Sequence, residues 1–239
     1  MPANSLDATI AATYTLTPRV KQLLLRVEGH TFSHKPGQHV SVRMVRDEGR
    51  PVYRPYSPVN GPGTDTLALA VKRYDEGTCS VWLHERAVGD TVTITPPSGN
   101  LHLHAPDRDV AFLATGTGLT PMLAMLDQYL ADGTGRAVLL FGERTEDDLM
   151  YRDTLDRLAA GHANLTVRYV LSQPSSHWTG PSGYVQDHVE AALASLTQPH
   201  VYVCGVPEMV VEATAQLQKR GIPADAIFSE GWEQGAVAD

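Results

Sequence analysis

The chain has 239 residues, enough for one large domain or two of ordinary size. Hydrophobic residues make up 42% and charged residues 19%, as in soluble globular proteins, and the net charge of -8 argues against a nucleic-acid partner. The sequence has no apolar run long enough to span a membrane and no signal-peptide core, and its only cysteines, Cys79 and Cys204, are too few for a disulfide framework or an iron–sulfur cluster. We therefore expect a cytoplasmic protein.

The first part of the chain is predicted to be an antiparallel β-barrel or sandwich. Its apolar residues mostly recur at every second position, and glycine- and proline-rich turns separate the runs. Strands are predicted over residues 8–16, 20–27, 38–45, 66–74 and 91–95. One helix is predicted over residues 79–87, between the last two strands. Several short strands at this spacing are typical of barrels and sandwiches.

The pattern changes after residue 108, where buried strands and amphipathic helices alternate. Strands are predicted over residues 109–116, 136–144, 164–172 and 200–205, and helices over residues 121–133, 147–161, 184–196 and 207–221. This alternation indicates an α/β domain with a doubly wound parallel sheet. We place the boundary near residue 104, which gives an N-terminal domain of residues 1–104 and a C-terminal domain of residues 105–239.

The stretch "RPYSPVN", residues 54–60, places a cation, a phenol and a hydroxyl on a stiff backbone. The guanidinium of Arg54 suits a phosphate, because its planar donors match an oxyanion. The ring of Tyr56 suits a flat aromatic ligand, and the hydroxyl of Ser57 can bond a ring nitrogen. Taken alone, the stretch is better explained as a surface turn held by two prolines.

Three strand ends of the α/β domain carry further candidates, because ligands of such sheets bind beyond the carboxyl ends of the strands. In "ATGTGLTPML", Gly116 and Gly118 permit close backbone approach, and Thr120 and Pro121 are predicted as the N-cap and first residue of a helix that favours a pyrophosphate. In "FGERTEDD", an acidic residue can bind a ribose hydroxyl. In "VYVCGVPEM", a cysteine faces the same crevice.

Four motifs, "RPYS", "GTGLTP", "YVCGVPEM" and "FSEGW", occur in an order and at separations that closely resemble the ferredoxin–NADP reductase superfamily. The resemblance runs from about residue 7 to residue 232, and is greatest to the flavin and nicotinamide portion of oxygenase reductases. It implies a flavin-binding β-barrel followed by a nicotinamide nucleotide-binding α/β domain. The implied cofactors are FAD, with NADH or NADPH as hydride donor.

The resemblance also implies roles for individual residues. The flavin contacts implied by it are Arg54 at the phosphate, Tyr56 on the isoalloxazine, Ser57 near N5, the strand residues Val71, Lys72 and Arg73, and the diphosphate turn of Gly77, Thr78, Cys79 and Ser80. The implied nucleotide contacts are Thr115, Gly116, Thr117, Gly118, Glu143, Arg144, Cys204, Gly205, Pro207 and Met209. Ser57, Cys204 and Glu230 are expected to position the reacting rings, and Trp232 to cover the flavin face.

The resemblance leaves the donor and the acceptor open. Residues 172–178 carry no permanently charged basic side chain and Glu143 would repel a 2′-phosphate, which favours NADH, whereas Arg144 argues for NADPH. Family members often continue into an iron–sulfur domain, for which this chain has no cysteine cluster. We therefore expect electrons to pass to a separate ferredoxin, flavodoxin or oxygenase component, or to a small-molecule acceptor, unless the chain is part of a longer polypeptide.

Two other functions are compatible with the sequence: a reductase that uses flavin as a dissociable substrate, and a non-catalytic module that binds a flavin or nucleotide. A metal site is not predicted. His102 and His104 alternate on a presumed strand, but no third or fourth ligand has a supporting spacing. Tyr184 and Asp187 stand near a predicted helix start, where capping accounts for them.

Overall fold

A computed structural model of the chain describes residues 5–45, 49 and 51–231. The N-terminal part is a six-stranded antiparallel sheet with the strand order β4-β3-β6-β1-β2-β5. An isolated bridge between Pro58 and Leu69 joins the end of one edge strand to the other, which curls the sheet into a barrel. The elements are β1 (Leu6–Thr17), β2 (Val20–Arg26), β3 (Val40–Val45), β4 (Pro51–Tyr56), β5 (Thr66–Lys72), α1 (Thr78–His84) and β6 (Thr91–Ile94).

The C-terminal part is a five-stranded sheet with the order β11-β10-β7-β8-β9, in which every neighbouring pair is parallel. Two separate apolar clusters cover its two faces, one including residues of α2 and α3 and the other residues of α4 and α5. The elements are β7 (Val110–Thr115), α2 (Leu119–Asp132), β8 (Ala137–Glu143), α3 (Arg152–Gly161), β9 (Leu165–Leu171), α4 (Val189–Leu193), β10 (His200–Gly205), α5 (Pro207–Lys219) and β11 (Ile227–Gly231). The predicted doubly wound α/β fold is confirmed.

The structure differs from the predicted elements in four places. β4 and β11 were not predicted, so Arg54 and Tyr56 lie in a strand rather than in a turn. The helix predicted over residues 147–161 is interrupted: a short 3-10 turn ends at Asp148, and α3 begins only after Tyr151, which adopts a left-handed conformation. The helix predicted over residues 184–196 is a 3-10 turn followed by the short α4.

The barrel and the α/β part are joined by a common apolar core. Strand alternation points Leu69 and Val71 of β5 into the barrel, while Ala70 between them packs with residues of the other lobe. Val20 of β2 is in the same shared cluster, together with Phe112 of β7. The predicted boundary near residue 104 falls in the irregular segment between β6 and β7. Among the described residues, no helix is long and apolar enough to cross a membrane.

Candidate functional site

A cleft of about 800 Å³ opens at the carboxyl ends of the parallel strands. Its floor is built from the ends of β7, β8 and β10, which lie side by side at the point where the strand order reverses. Lys72 and Tyr74 of the barrel line one side of it. The cleft therefore lies between the two lobes, where an open α/β sheet binds its ligands.

The glycine turn after β7 lies in this cleft and packs against the end of β10. Gly116–Gly118 form a single 3-10 turn that leads directly into α2. A Cβ atom on Gly118 would collide with the backbone carbonyl of Cys204, so glycine is required for the close approach of the two segments. Thr115 and Thr117 line the cleft beside the two glycines.

The prediction that Thr120 caps α2 is wrong. The helix begins at Leu119, and the Thr120 hydroxyl donates a hydrogen bond to the Thr117 carbonyl at 2.9 Å instead of accepting one from a backbone amide. The helix starts two residues earlier than predicted because the 3-10 turn of the glycine segment continues into it. Its N-terminal amides therefore follow the glycine turn immediately, a geometry that favours an anion.

The end of β10 supplies the residues predicted from "VYVCGVPEM". Cys204 is fully buried, and Gly205 has a φ of 150°. The amide of Val206 donates to the Thr115 hydroxyl at 3.0 Å, which ties this loop to the end of β7. Gly205 and Met209 line the cleft, whereas Cys204, predicted to face it, is buried in the core and does not, and Pro207 is the first residue of α5.

Glu143, at the end of β8, faces the barrel. Its side chain is only 4% exposed, and its carboxylate lies 3.8 Å from the ammonium of Lys72. Burial raises the pKa of Glu143 to about 7, although the neighbouring Lys72 opposes the shift. Arg144, the next residue, is exposed at the cleft rim and donates to the Gln173 side chain at 3.2 Å.

The predicted flavin residues of "RPYS" cluster at the end of β4. A guanidinium nitrogen of Arg54 donates to the Tyr53 carbonyl at 3.2 Å, and the Tyr56 hydroxyl lies 4.0 Å from the Cys79 sulfur. Burial, followed by the nearby Cys79, raises the pKa of the Tyr56 hydroxyl, which therefore stays protonated. Ser57 is buried, and its hydroxyl donates to the Gly37 carbonyl at 3.5 Å.

The predicted diphosphate turn lies where α1 begins. Gly77 occupies the N-cap position, and a Cβ atom there would collide with the Ser80 hydroxyl. That hydroxyl accepts a hydrogen bond from the Tyr74 amide at 3.3 Å, so Ser80 closes the turn. Thr78 and Cys79 are the first two residues of the helix.

The strand residues beside this turn are placed differently from one another. Val71 is fully buried in the barrel core, and its carbonyl accepts a hydrogen bond from the His84 ring at 2.8 Å. Lys72 lines the cleft, whereas Arg73 is exposed.

Glu230 lies directly beside Cys204, because the two residues are paired across β10 and β11. One carboxylate oxygen of Glu230 lies 3.3 Å from Nδ1 of His39, a barrel residue two positions after the Gly37 carbonyl that Ser57 contacts. Glu230 therefore contacts the barrel segment of residues 37–39, the same segment that Ser57 contacts through Gly37. Trp232 lies outside the described residues.

Sequence reasoning missed several residues of this region. Nothing in the sequence around His39 indicates a role in the site, since that role depends on a contact from the other lobe. Tyr74 and the segment of Gly183, Tyr184 and Val185 also line the cleft. Asp187 caps the backbone amide of Tyr184 at 3.1 Å, as predicted. His102 and His104 lie in an irregular segment rather than a strand, and their rings stack with centroids 4.3 Å apart.

Comparisons with known proteins agree with this architecture. Residues 8–103 match an oxidoreductase FAD-binding domain, and residues 112–215 match an oxidoreductase NAD-binding domain. The chain is 35% identical over 219 residues to ferredoxin–NADP reductase B of Sorangium cellulosum, an alignment that covers 87% of this chain and 89% of that one. It is 34% identical to NADH-cytochrome b5 reductase 1 of Dictyostelium discoideum, covering 81% of this chain and 69% of the relative.

A third relative is the electron transfer component of anthranilate 1,2-dioxygenase from Acinetobacter baylyi, 30% identical over 85% of this chain and 59% of that protein. Among solved structures, the CS-b5R domains of human Ncb5or in the NAD+ form superpose with a TM-score of 0.86 at 26% identity, covering 94% of this chain and 69% of that one. With its FAD-binding and NAD-binding halves both recognised, the chain belongs to the ferredoxin–NADP reductase superfamily of oxidoreductases.

Proposed function

We propose that this protein takes a hydride from NADH onto bound FAD and passes electrons singly to a separate acceptor protein. The observation that carries the proposal is the cleft between the lobes, in which the glycine turn and the end of β10 face Lys72 and Tyr74 of the barrel. A site shared by a FAD-binding half and an NAD-binding half can hold two rings in contact. When both cofactors are bound, they supply the hydride transfer and the change from two-electron to one-electron chemistry.

In this proposal the barrel holds the flavin. Arg54 pairs with its phosphate through charge-assisted hydrogen bonds, and Tyr56 packs against the ring system. The turn of Gly77, Thr78, Cys79 and Ser80 holds the diphosphate with backbone amides. Ser57 is buried beside the ring system, where its hydroxyl donates to a ring nitrogen in place of the Gly37 carbonyl.

The α/β lobe holds the nicotinamide nucleotide. The glycine turn and the first amides of α2 bind its pyrophosphate, and Gly205 and Met209 form the pocket for the reacting ring next to the buried Cys204. Glu230, beside Cys204 and in contact with His39, orients this pocket. None of these residues acts as a nucleophile; they fix distances and exclude water.

The charge of the cleft favours NADH over NADPH. Carboxylates outnumber cations around it, and a 2′-phosphate would add two negative charges there. The acidic lining residues are Glu143, Asp187, Glu208 and Glu212, and the basic ones are Lys72 and Arg144. Arg144 and the relative named ferredoxin–NADP reductase B speak for the phosphorylated nucleotide, but the Arg144 guanidinium already donates to Gln173.

The acceptor is proposed to be a small redox protein such as a ferredoxin, a flavodoxin or an oxygenase component. Relatives are named as a ferredoxin–NADP reductase, a cytochrome b5 reductase and a dioxygenase electron transfer component, so cytochrome b5 joins the candidates. The acceptors share a one-electron centre, which a two-electron donor cannot reduce without an intermediary.

The test is an absorption spectrum of the purified protein, followed by anaerobic titration with NADH and with NADPH. We expect a yellow protein with one FAD per chain. NADH should bleach the bound flavin, and NADPH at the same concentration should react at least about tenfold more slowly. A colourless protein that oxidises NADH only with added flavin would identify a reductase of dissociable flavin. Bound flavin that neither nucleotide bleaches would identify a binding module and would refute the proposal.

A further inference from the structure

Tyr151 is held in a strained conformation immediately before α3. Its φ of 57° and ψ of 19° are left-handed, a region that a residue with a Cβ atom rarely adopts. Tyr151 still starts the helix, because its carbonyl accepts from the amides of Thr154 and Leu155 at 3.0 and 2.9 Å. A glycine would make the same turn without strain. The strain at this position is therefore compensated by what the tyrosine side chain contacts.

The side chain of Tyr151 reaches across to the barrel. Its hydroxyl lies 2.6 Å from the amide oxygen of Gln22 in β2, a residue 129 positions earlier in the chain. An amide oxygen only accepts, so the tyrosine is the donor. Burial raises the pKa of the Tyr151 hydroxyl, so the donor stays protonated at neutral pH.

Gln22 and Lys72 belong to one face of the barrel. In the register of β2 and β5, Val20 is paired with Lys72 and Gln22 with Ala70, so these four residues form a patch that points away from the barrel core. The α/β lobe contacts this patch at two polar points, Glu143 on Lys72 at 3.8 Å and Tyr151 on Gln22 at 2.6 Å. These two polar contacts add direction to the apolar packing of Val20 and Ala70 in the same patch, and so constrain the rotation of one lobe against the other.

We propose that Tyr151 is a positioning residue: its hydrogen bond to Gln22 sets the angle between the lobes and thereby the stacking of flavin and nicotinamide rings. The inference rests on the proposed function, since it concerns the geometry of hydride transfer. Tyr151 lies outside the lining of the cleft, so it acts on the reaction only through the orientation of the lobes. Angular errors between two lobes become displacements at the rings, and a displacement of about 1 Å can slow such a step by about 100-fold.

The test compares Tyr151→Phe with Tyr169→Phe in the flavin-loaded protein. Tyr169 also donates a 2.6 Å hydrogen bond, but to Asp156 within the same lobe, so its variant removes an equivalent hydroxyl without touching the seam. In anaerobic stopped-flow reduction by NADH, we expect Tyr151→Phe to lower the limiting rate about tenfold and to weaken the long-wavelength charge-transfer band. The Kd for NADH should change less than about twofold, and Tyr169→Phe should match the wild type.

A double-mutant cycle with Gln22→Leu makes the result specific to this pair. If the hydrogen bond is the active feature, either single variant and the double variant slow reduction by the same factor. Wild-type rate and charge-transfer absorbance in Tyr151→Phe, or rate losses that multiply in the double variant, would overturn the inference. Absence of flavin reduction by NADH in the wild type would instead refute the proposed function, and the two failures are thus distinguishable.

Discussion

Glu143 is the residue at which burial and charge compete most directly. Its folded-state pKa of about 7 lies above the usual value of 4.5, so the folded state binds the proton more tightly than the unfolded chain. The stabilisation is therefore complete below about pH 4.5 and is lost as the pH rises towards 7 and beyond. The loss amounts to about 3 kcal/mol, because each pKa unit corresponds to about 1.4 kcal/mol.

We predict that Glu143→Gln removes most of this pH dependence. The free energy of unfolding of the nucleotide-free wild type should fall by about 2–3 kcal/mol more between pH 5 and pH 8 than that of the variant, as measured by urea unfolding. Glu146→Gln, which removes an exposed carboxylate nearby, is the control and should retain the wild-type fall. Equal slopes for wild type and Glu143→Gln would show that Glu143 is not the group responsible.

Arg54 provides a second prediction at this scale. Arg54→Ala should weaken FAD binding by about 10- to 100-fold, because a charge-assisted hydrogen bond to phosphate contributes about 1.5–3 kcal/mol. Flavin fluorescence during equilibrium dialysis measures the change. Arg26→Ala breaks an exposed 3.4 Å pair with Asp65 elsewhere on the barrel and should leave flavin affinity unaltered. Unchanged affinity in Arg54→Ala would remove Arg54 from the flavin site.

At the scale of the element, the packing of the glycine turn against β10 is the most sensitive contact. Gly118→Ala places a methyl group against the Cys204 carbonyl, a backbone atom that cannot rotate away. We expect a loss of about 1–3 kcal/mol in stability and at least about tenfold weaker NADH binding, measured by thermal unfolding and fluorescence titration. Gly161→Ala, at a helical glycine with nothing near its Cβ position, should be neutral or slightly stabilising.

The strands that were predicted from the sequence differ from those that were missed in their apolar pattern and in their place in the sheet. β2 and β5 were predicted because large apolar residues recur at every second position and point into the barrel core, although the other face of β5 is buried as well. β4 contains two prolines and shows no alternation of burial, yet it forms because it is an edge strand in the order, where proline need not donate to a second neighbour. β11 is a short edge strand as well.

The parts of the candidate site that could be predicted from the sequence are those formed by the end of a single strand. The glycine turn and Cys204 were identified because both stand at carboxyl ends of parallel strands, which meet at one edge. The pairs of Lys72 with Glu143 and His39 with Glu230 were not, because they form only when the lobes dock at one particular angle. Local sequence periodicity carries no information on that angle.

At the scale of the whole molecule, the shared core makes the two lobes one cooperative unit. Val20 and Ala70 of the barrel are buried in the same apolar cluster as residues of α2 and β7. Separating the lobes would expose this surface to water, at about 25 cal/mol for each Å² of apolar area. We therefore predict a single unfolding transition for the protein without ligands.

Single-tryptophan variants test this prediction, because Trp82 lies in the barrel and Trp178 in the α/β lobe. Urea titrations should give the same midpoint from the fluorescence of either tryptophan and from far-UV circular dichroism. Two separated midpoints would mean that each lobe is stable alone and that the seam contributes little.

The position of β11 has a consequence for how the protein is made. Among the described strands, Ile227–Gly231 pair only with β10, while Glu230 contacts His39, a barrel residue translated well before it. On the ribosome, β11 emerges after β1–β10, so the contact between Glu230 and His39 cannot form while those strands are being made. The seam between the lobes therefore closes at this point only after the other ten described strands have been translated.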